Sequence, residues 1–536
     1  MKILLLQPSD QLGDGITSAY EKHGRLKTVY DRRALKRFIT LPPLGLMYLA
    51  APLVKAGHNV RIIDGFTLQL TQDETVREVE AFEPDLIGIT LYSPFLKQVY
   101  ELSRKLKERL SVPIIVGGGH PTAMPKEVLQ EFNEVDFVMK GWGEFSIADF
   151  CEHLEGRRNA REVAGLWYRN HGLISMNAEA DLPSDDALIL PPDRGALAEM
   201  YEHELYYNIM SSRRKMDVLM TSRNCPFGCK FCFVARKKFV AHKPERVLNE
   251  ISDMVDRGID AIEIMDDNFT LDRKRARRIF QGIVDAGFDL EFRLRGRVDV
   301  VDADLLELLK QANVRSINYG MESGSDAVLT LMDKSATAAD AEKACRLTKD
   351  AGILCQSSWI VGYPGETADN RQETFDFIRK NKPNTFILYP VIPLPETRLY
   401  KQVKEMGRLS NEWSVHLPIP HIVHEELSHP ELCKLVDEEQ QRLLLEPGFI
   451  LQTLSYWVRN PNSRLLAFGI EVVLRKLRSL GGQGRKETTA GTDAEEGLNV
   501  NMAPGRRADS SAARLVDEIA GRATRYASSL RAMLAT

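Results

Sequence analysis

Short apolar runs alternate with helical patterns over the first 155 residues. Five runs predict strands, at Lys2–Gln7, Asn59–Asp64, Leu86–Thr90, Pro113–Val116 and Phe137–Met139. Apolar residues at helical spacing predict the intervening helices, at Leu44–Ala56, Thr75–Glu83, Phe95–Leu110 and Lys126–Glu131. This alternation predicts an α/β domain with a doubly wound parallel sheet over residues 1–155, and such sheets bind ligands at the carboxyl ends of their strands.

The same rhythm returns after a connecting region at 156–210, which includes the proline-rich stretch Leu190-Pro191-Pro192. Within residues 211–425, six runs predict strands, at Met216–Thr221, Ala261–Met265, Glu291–Arg295, Ser316–Met321, Leu354–Val361 and Thr385–Val391. Four of the predicted helices are Pro244–Arg257, Arg273–Ala286, Ala303–Ala312 and Ala338–Ala351. Six strand–helix units fall short of the eight in a complete barrel, so we expect a partial (β/α)6 barrel.

After residue 425 the alternation of predicted strands and helices ends. Residues 426–480 are expected to be a helical extension, and residues 481–536 a flexible linker (481–507) followed by a terminal helix (512–534). The helix predicted at Arg464–Leu480 is amphipathic and basic. Such a surface is found at membrane interfaces, which leaves a peripheral membrane contact open, but it also suits a helix whose apolar side faces a core. No apolar run reaches the ~18 residues of a spanning helix.

Composition narrows the function classes. The chain has 536 residues, 71 Lys and Arg against 75 Asp and Glu, and a net charge of −4. These values exclude a collagenous or wholly disordered chain, and without a concentrated basic stripe they argue against a nucleic-acid partner. Seven cysteines, three of them within eight residues, do not suit a secreted disulfide framework. We therefore expect a reduced, cytoplasmic chain with one local metal site.

Cys225, Cys229 and Cys232 carry that site, at C-x3-C-x2-C spacing in a loop that follows a predicted strand. Pro226 and Gly228 favour a tight loop in which the three sulfurs face one volume. Three thiolates suit an iron–sulfur cluster with one open iron. A zinc site with His242 as fourth ligand, or three buried free thiols, are the alternatives that the spacing leaves open.

This loop, with the aromatic Phe231 before its last cysteine, resembles the signature of radical S-adenosylmethionine (SAM) enzymes. The resemblance implies a [4Fe–4S] cluster held by the three cysteines, whose open iron binds SAM and cleaves it to a 5′-deoxyadenosyl radical. It also implies that the backbone of Phe231 meets the SAM adenine, and that a flavodoxin or ferredoxin supplies electrons.

Downstream segments fit the same family. The resemblance implies further SAM contacts, at Asp266, Asp267, Asn268, Glu322, Ser323 and Gly362. Taken alone, the Asp266–Asn268 segment also suits a helix cap, and a lone glutamate such as Glu322 suits an exposed surface. Arg295 and Arg297 are candidates for pairing with a carboxylate, of a ligand or of a salt bridge elsewhere.

The N-terminal domain resembles that of the cobalamin-binding branch of the superfamily, which class B radical SAM methyltransferases and the anaerobic Mg-protoporphyrin ester cyclase represent. Segments 43–46, 116–121 and 141–144 match this branch. The resemblance implies cobalamin at the strand ends, near Thr90, Ser93, Gly117, Gly118 and Gly119. A D-x-H-x-x-G loop is absent, so we expect no histidine on cobalt and assign His120 to packing or a tail contact. Trp142 stands where the branch usually has glutamate.

These observations predict a cobalamin-dependent radical SAM methyltransferase that methylates an unactivated carbon of a small-molecule or lipid-like substrate. An unactivated sp3 carbon has no lone pair to accept a methyl cation, so a carbon radical must form first. A radical SAM and cobalamin oxidative cyclase, or another non-methylating rearrangement enzyme, is the alternative; a non-catalytic cobalamin or metal sensor is a third. No general acid or base is assigned.

Overall fold

We describe a computed structural model of the chain, for residues 1–9, 39–68, 70–183, 188–208, 210–211 and 213–459. Met1–Leu451 form one compact unit, and Gln452–Thr536 form a second, of which only the end of one helix is described. The predicted helices at 464–480 and 512–534 and the linker at 481–507 lie outside the described residues. Within those residues, no helix is both long and apolar enough to span a bilayer.

The N-terminal sheet has seven strands in the order β3-β1-β4-β5-β6-β7-β8. The strands are β1 (Lys2–Gln7), β3 (Asn59–Asp64), β4 (Leu86–Thr90), β5 (Ile114–Gly117), β6 (Phe137–Met139), β7 (Leu166–Asn170) and β8 (Leu173–Met176). β1 and β3–β6 pair in parallel, which confirms the doubly wound sheet. The four central residues of β1 (3–6) are all apolar because the strand pairs on both sides and helices cover both faces of the sheet.

Its helices are α1 (Leu44–Lys55), α2 (Gly65–Leu68), α3 (Gln72–Phe82), α4 (Leu96–Arg109), α5 (Gly119–Ala123), α6 (Pro125–Glu131) and α7 (Ile147–Leu154). α3 begins three residues before its predicted start at Thr75. The cause is a capping box, in which the Thr71 hydroxyl accepts the Glu74 N–H and the Glu74 carboxylate accepts the Thr71 N–H.

Part of the predicted connecting region extends this sheet. β7 pairs antiparallel with β6, and β8 pairs with β7. The turn between them is His171-Gly172, with both residues at positive φ (49° and 81°), the backbone that a two-residue hairpin requires. The connection also contains α8 (Ala198–Glu202) and β9 (Tyr207–Asn208), and β9 pairs with β2 (Ile39–Thr40).

The second sheet is a partial barrel of six parallel strands, as predicted. In spatial order these are β10 (Met216–Leu219), β13 (Ala261–Ile264), β14 (Glu291–Gly296), β15 (Val314–Glu322), β16 (Leu354–Val361) and β17 (Thr385–Pro390). A small antiparallel ribbon, β11 (Ser222–Arg223) with β12 (Val240–Ala241), follows the first strand.

The barrel helices are α9 (Pro244–Asp256), α10 (Arg273–Ala286), α11 (Ala303–Gln311), α12 (Asp326–Leu331), α13 (Ala338–Asp350), α14 (Ala368–Asn381), α15 (Arg398–Glu405), α16 (His429–Leu444) and α17 (Pro447–Arg459). Apolar strand residues such as Phe292 and Leu294 pack against these helices in the largest core. The intervening residues Arg293 and Arg295 face the opposite side of the sheet because side chains alternate along a strand.

The segment after α15 returns to the N-terminal domain. Val415 is buried in the core of that domain, and its N–H donates to Glu131 on α6 (2.7 Å). The ring of His416 meets that of Tyr100 edge-on, with centroids 5.8 Å apart. This segment therefore links the two domains within one compact unit.

Candidate cofactor sites

The cysteine loop is anchored at its base by Asp266. This fully buried carboxylate accepts hydrogen bonds from the Thr221 N–H, the Thr221 hydroxyl and the Ser222 hydroxyl, at 2.5 to 2.6 Å. Burial raises the pKa of Asp266, and these three donors oppose that rise. Asp266 thus stabilises the chain just before the cysteines, and its oxygens are occupied by the protein.

The next two residues, Asp267 and Asn268, have different surroundings. The Asp267 carboxylate accepts the Asn224 N–H (3.0 Å), and Asn224 precedes Cys225. Asn268 is fully buried, and its Nδ2 has no hydrogen-bond partner among the described residues. A buried amide without a partner is costly, so this donor is suited to a ligand or a water molecule.

The three thiols interact electrostatically with one another. Burial raises the pKa of Cys225, and raises that of Cys232 to about 11. The loop is held by backbone hydrogen bonds, including Lys237 N–H to Cys225 O (3.1 Å) and Cys232 N–H to Cys229 O (3.2 Å). Among the described residues, no three His, Cys, Asp or Glu side chains converge on a point that suits a single metal ion. His242 is buried beside Thr221, whose carbonyl accepts the backbone N–H of His242 (2.9 Å).

Arg297 lies against this loop. Its guanidinium carbon is 3.7 Å from the centroid of the Phe227 ring, and its Nη1 is 4.0 Å from Cys229 Sγ. Asp299 accepts two hydrogen bonds from it, at 2.9 and 3.0 Å. The carboxylate partner of Arg297 is therefore Asp299, while Arg295 is 3.6 Å from Glu263. The Arg297 cation opposes the rise that burial causes in the pKa of Cys225, and the thiolate is the form of cysteine that binds iron.

Glu322 ends β15 with a left-handed backbone, φ 66°. Its carboxylate is 2.9 Å from the Lys334 ammonium, and both side chains are almost fully buried. Its neighbour Ser323 has its hydroxyl 3.0 Å from the Thr374 hydroxyl and is buried. Glu322 is thus a paired buried group rather than an exposed one, and Ser323 stabilises the contact with α14.

Gly362 follows β16 with φ 84°, and a Cβ there would lie 2.4 Å from the Leu432 side chain. Its N–H donates to the Glu366 carboxylate (2.6 Å). Burial raises the pKa of Glu366 to about 7. Phe231 packs partly buried against a small apolar cluster, which includes Tyr363. Phe231, which the resemblance places at the SAM adenine, therefore borders the same apolar cluster as Tyr363, the residue after Gly362.

At the carboxyl ends of β4 and β5, Gly118 has φ 112°, and a Cβ there would lie 2.9 Å from the Leu91 carbonyl oxygen. A Cβ on Gly119 would meet only the Tyr92 ring, at 3.7 Å. The Ser93 hydroxyl lies 3.0 Å from His120 Nδ1, and burial lowers the pKa of His120 to about 4. Neutral His120 packs edge-on against the Trp413 ring, with centroids 6.0 Å apart. Thr90 is paired with Gly117 in the ladder.

Arg223, two residues before Cys225, contacts the N-terminal domain. Its guanidinium carbon lies 4.6 Å from the ring centroid of Tyr48 and 4.5 Å from that of Trp142, and it forms an ion pair with Glu144. The sequence singled out Trp142 and Glu144 but neither Arg223 nor Tyr48. An arginine directly before the cysteine loop was the available signal. Lys334 was also missed, because nothing in its local sequence marks it.

Comparisons with known protein families and structures agree with the two-domain order. A model of the B12-binding domain matches residues 34–150, and a model of the Radical SAM superfamily matches residues 219–378. An uncharacterised methyltransferase of Pyrococcus horikoshii is 28% identical over 78% of this chain and 92% of its own. The anaerobic magnesium-protoporphyrin IX monomethyl ester cyclase of Rubrivivax gelatinosus is 24% identical over 76% of this chain and 75% of its own.

Among solved structures, the radical SAM methyltransferase TsrM from Kitasatospora setae, with cobalamin and a [4Fe–4S] cluster bound, superposes with a TM-score of 0.65 at 16% identity. The match covers 90% of this chain and 100% of TsrM, and it shows that the fold is shared. A B12-binding domain followed by a radical SAM barrel is therefore present, and the chain belongs to the cobalamin-dependent radical SAM enzymes, whose cofactors are cobalamin, SAM and a [4Fe–4S] cluster.

Proposed function

We propose that this enzyme is a methyltransferase that methylates an unactivated carbon. When bound, the cluster and SAM supply a 5′-deoxyadenosyl radical that removes hydrogen from the substrate, and methylcobalamin supplies the methyl group. The contribution of the chain is to hold these groups in register and to keep water away. The observation that carries the proposal is the direct contact between the cysteine loop and the B12-binding domain through Arg223 and Glu144.

In this proposal Cys225, Cys229 and Cys232 hold the cluster. The hydrogen-bonded loop backbone and the Arg297 cation 4.0 Å from Cys229 Sγ support this assignment. Three thiol ligands leave one iron for SAM. A flavodoxin or ferredoxin is the proposed electron donor.

SAM is proposed to bind at the strand ends beside this loop. The Asn268 amide, buried without a described partner, is a donor available to it. Asp267 and Glu322 are the carboxylates proposed to contact it. Asp266 and Ser323 support these contacts indirectly, since both are bonded to the protein. Phe231 and Gly362 border the proposed adenine position.

Cobalamin is proposed to lie over the carboxyl ends of β4 and β5. Gly117, Gly118 and Gly119 let the backbone approach a bulky ring, and Thr90 and Ser93 are the polar groups at that edge. His120 is directed to Ser93 through Nδ1 and packs on Trp413, which supports a packing role for it rather than cobalt ligation.

Two names among the relatives support different reactions. The Pyrococcus protein is called a methyltransferase, and it covers the larger share of both chains. The Rubrivivax protein is a cyclase with a similar length match, so an oxidative cyclase or other non-methylating reaction is the second candidate. A sensor that never cleaves SAM is the third.

Product mass separates these candidates. Reconstituted holoenzyme is incubated without oxygen with SAM, methylcobalamin, a reductant and candidate substrates. A gain of one CH2 in the substrate supports methyl transfer. Loss of hydrogen or gain of oxygen supports cyclisation, and absence of 5′-deoxyadenosine supports the sensor.

A further inference from the structure

Arg223 is enclosed by groups of the B12-binding domain. Tyr48 lies on α1, and Trp142 and Glu144 lie in the turn that follows β6. The two rings lie 4.6 and 4.5 Å from the guanidinium carbon, and Glu144 pairs with Nη1. Arginine is suited to this position because its planar cation stacks on aromatic faces while its edge binds a carboxylate.

The contact is buried. Arg223 is 2% exposed and Glu144 has 11% of its side chain exposed. A buried cation is costly without a partner, so the carboxylate and the two rings fix one conformation. The turn that carries Trp142 is itself held, because Phe145 N–H donates to Trp142 O (3.2 Å) and Ser146 N–H donates to Gly143 O (3.0 Å).

On the barrel side, the same residue is tied to the cluster loop. Arg223 pairs with Val240 in the β11–β12 ribbon, and Asn224 donates its N–H to Asp267. Only Asn224 separates Arg223 from Cys225. A shift of the Arg223 side chain is therefore transmitted to the first proposed cluster ligand through a short, hydrogen-bonded segment.

We propose that Arg223 is a positioning residue that fixes the cluster loop against the B12-binding domain and so sets the geometry between the cluster and cobalamin. The inference rests on the proposed assignment of Cys225, Cys229 and Cys232 as cluster ligands. Removing Arg223 leaves each cofactor with its own ligating residues but loosens one cofactor relative to the other.

The test uses the reconstituted full chain carrying both cofactors, in four variants: R223M, R223K, E144Q and E131Q. Iron, sulfide and cobalamin contents are measured first.

Electron paramagnetic resonance then records the cob(II)alamin signal twice, with the cluster reduced and with the cluster oxidised. The spin of a reduced cluster broadens the cobalt signal to an extent that depends on the distance between the cluster and cobalt. E131Q is the matched control, since Glu131 is an interdomain contact that does not touch the cluster loop.

We expect cofactor contents close to wild type in all variants. R223M and E144Q should lose or alter the cluster-dependent broadening, R223K should restore part of it, and E131Q should leave it unchanged. A spectrum of R223M and E144Q identical to wild type, or a wild type without broadening, would overturn the proposal. If R223M does not fold, the spectra of E144Q and R223K test the proposal in its place. Loss of the cluster signal from wild type itself would instead reject the ligand assignment, and the metal analysis shows that separately.

Discussion

The Lys334 ammonium lies 2.9 Å from the Glu322 carboxylate, with 7% and 10% of the two side chains exposed. Breaking a buried ion pair leaves one charge without compensation, which costs about 3–5 kcal/mol. We expect K334M to lower the free energy of unfolding by that order, measured by urea denaturation of the apoprotein.

Lys401 provides the matched control, because it forms a 2.8 Å ion pair with Glu396 whose side chains are about half exposed. K401M should change stability little, since exposed pairs contribute little. Equal losses in the free energy of unfolding for K334M and K401M would show that the buried ion pair stabilises the fold no more than the exposed one.

The cysteines divide into two groups with different expected responses. Alanine at Cys225, Cys229 or Cys232 should abolish the iron–sulfur absorption after anaerobic reconstitution, because each supplies one of only three protein ligands. Cys433 is a buried thiol in α16, and C433A should retain full iron content with a modest loss of stability. Retention of the cluster by any one of the three loop variants would remove that residue from the ligand set.

Alanine substitutions at the neighbouring Gly118 and Gly119 distinguish backbone strain from an effect on the space for a ligand. G118A places a side chain at φ 112° and 2.9 Å from a carbonyl oxygen, so it should destabilise the apoprotein by roughly 1–3 kcal/mol. G119A meets only ordinary contact at 3.7 Å and should leave apoprotein stability almost unchanged.

Gly119 nevertheless belongs to the proposed cobalamin surface. G119A should therefore weaken cobalamin retention during gel filtration while the melting temperature of the apoprotein stays near wild type. Full cobalamin retention by G119A would place the corrin ring away from this glycine.

The raised pKa of Glu366 leads us to expect that the stability of the protein depends on pH. Its pKa is about 7 in the folded chain, chiefly because burial disfavours the charge, against an ordinary value of 4.5. The folded state then binds the proton more tightly than the unfolded state, so the free energy of unfolding falls as pH rises between these values. The loss is roughly 3 kcal/mol.

Glutamine at this position cannot ionise. E366Q should flatten the pH dependence over pH 5 to 7 relative to wild type, as followed by denaturation at fixed pH values. Parallel curves for the two proteins would mean that Arg371, whose guanidinium is 3.9 Å from the carboxylate, keeps Glu366 ionised.

The apolar runs predicted the strands of both parallel sheets to within two residues of their ends, because buried parallel strands are continuously apolar. The β7–β8 hairpin was missed: Leu166–Met176 mixes polar and apolar residues at a sheet edge and resembles a linker. Helix ends depended on side-chain caps, as the early start of α3 at Gln72, directly after its Thr71 cap, shows.

The site was predictable where its residues are close in sequence and not where they meet across the fold. The three cysteines form a local pattern, whereas Arg223 and Glu144 are 79 residues apart and meet only through docking of two domains. The adjacent Asp266 and Asp267 look equivalent in sequence. Alternation at the strand end sends one to the buried base of the loop and the other toward Asn224.

Formation of 5′-deoxyadenosine is the most direct test of the account. Anaerobically reconstituted wild type, incubated with SAM and a strong one-electron reductant, should produce 5′-deoxyadenosine, and a variant with alanine at Cys225, Cys229 and Cys232 should produce none. Cluster-loaded wild type that yields no 5′-deoxyadenosine, or equal yields from the two proteins, would contradict the claim that a cluster held by these cysteines cleaves SAM.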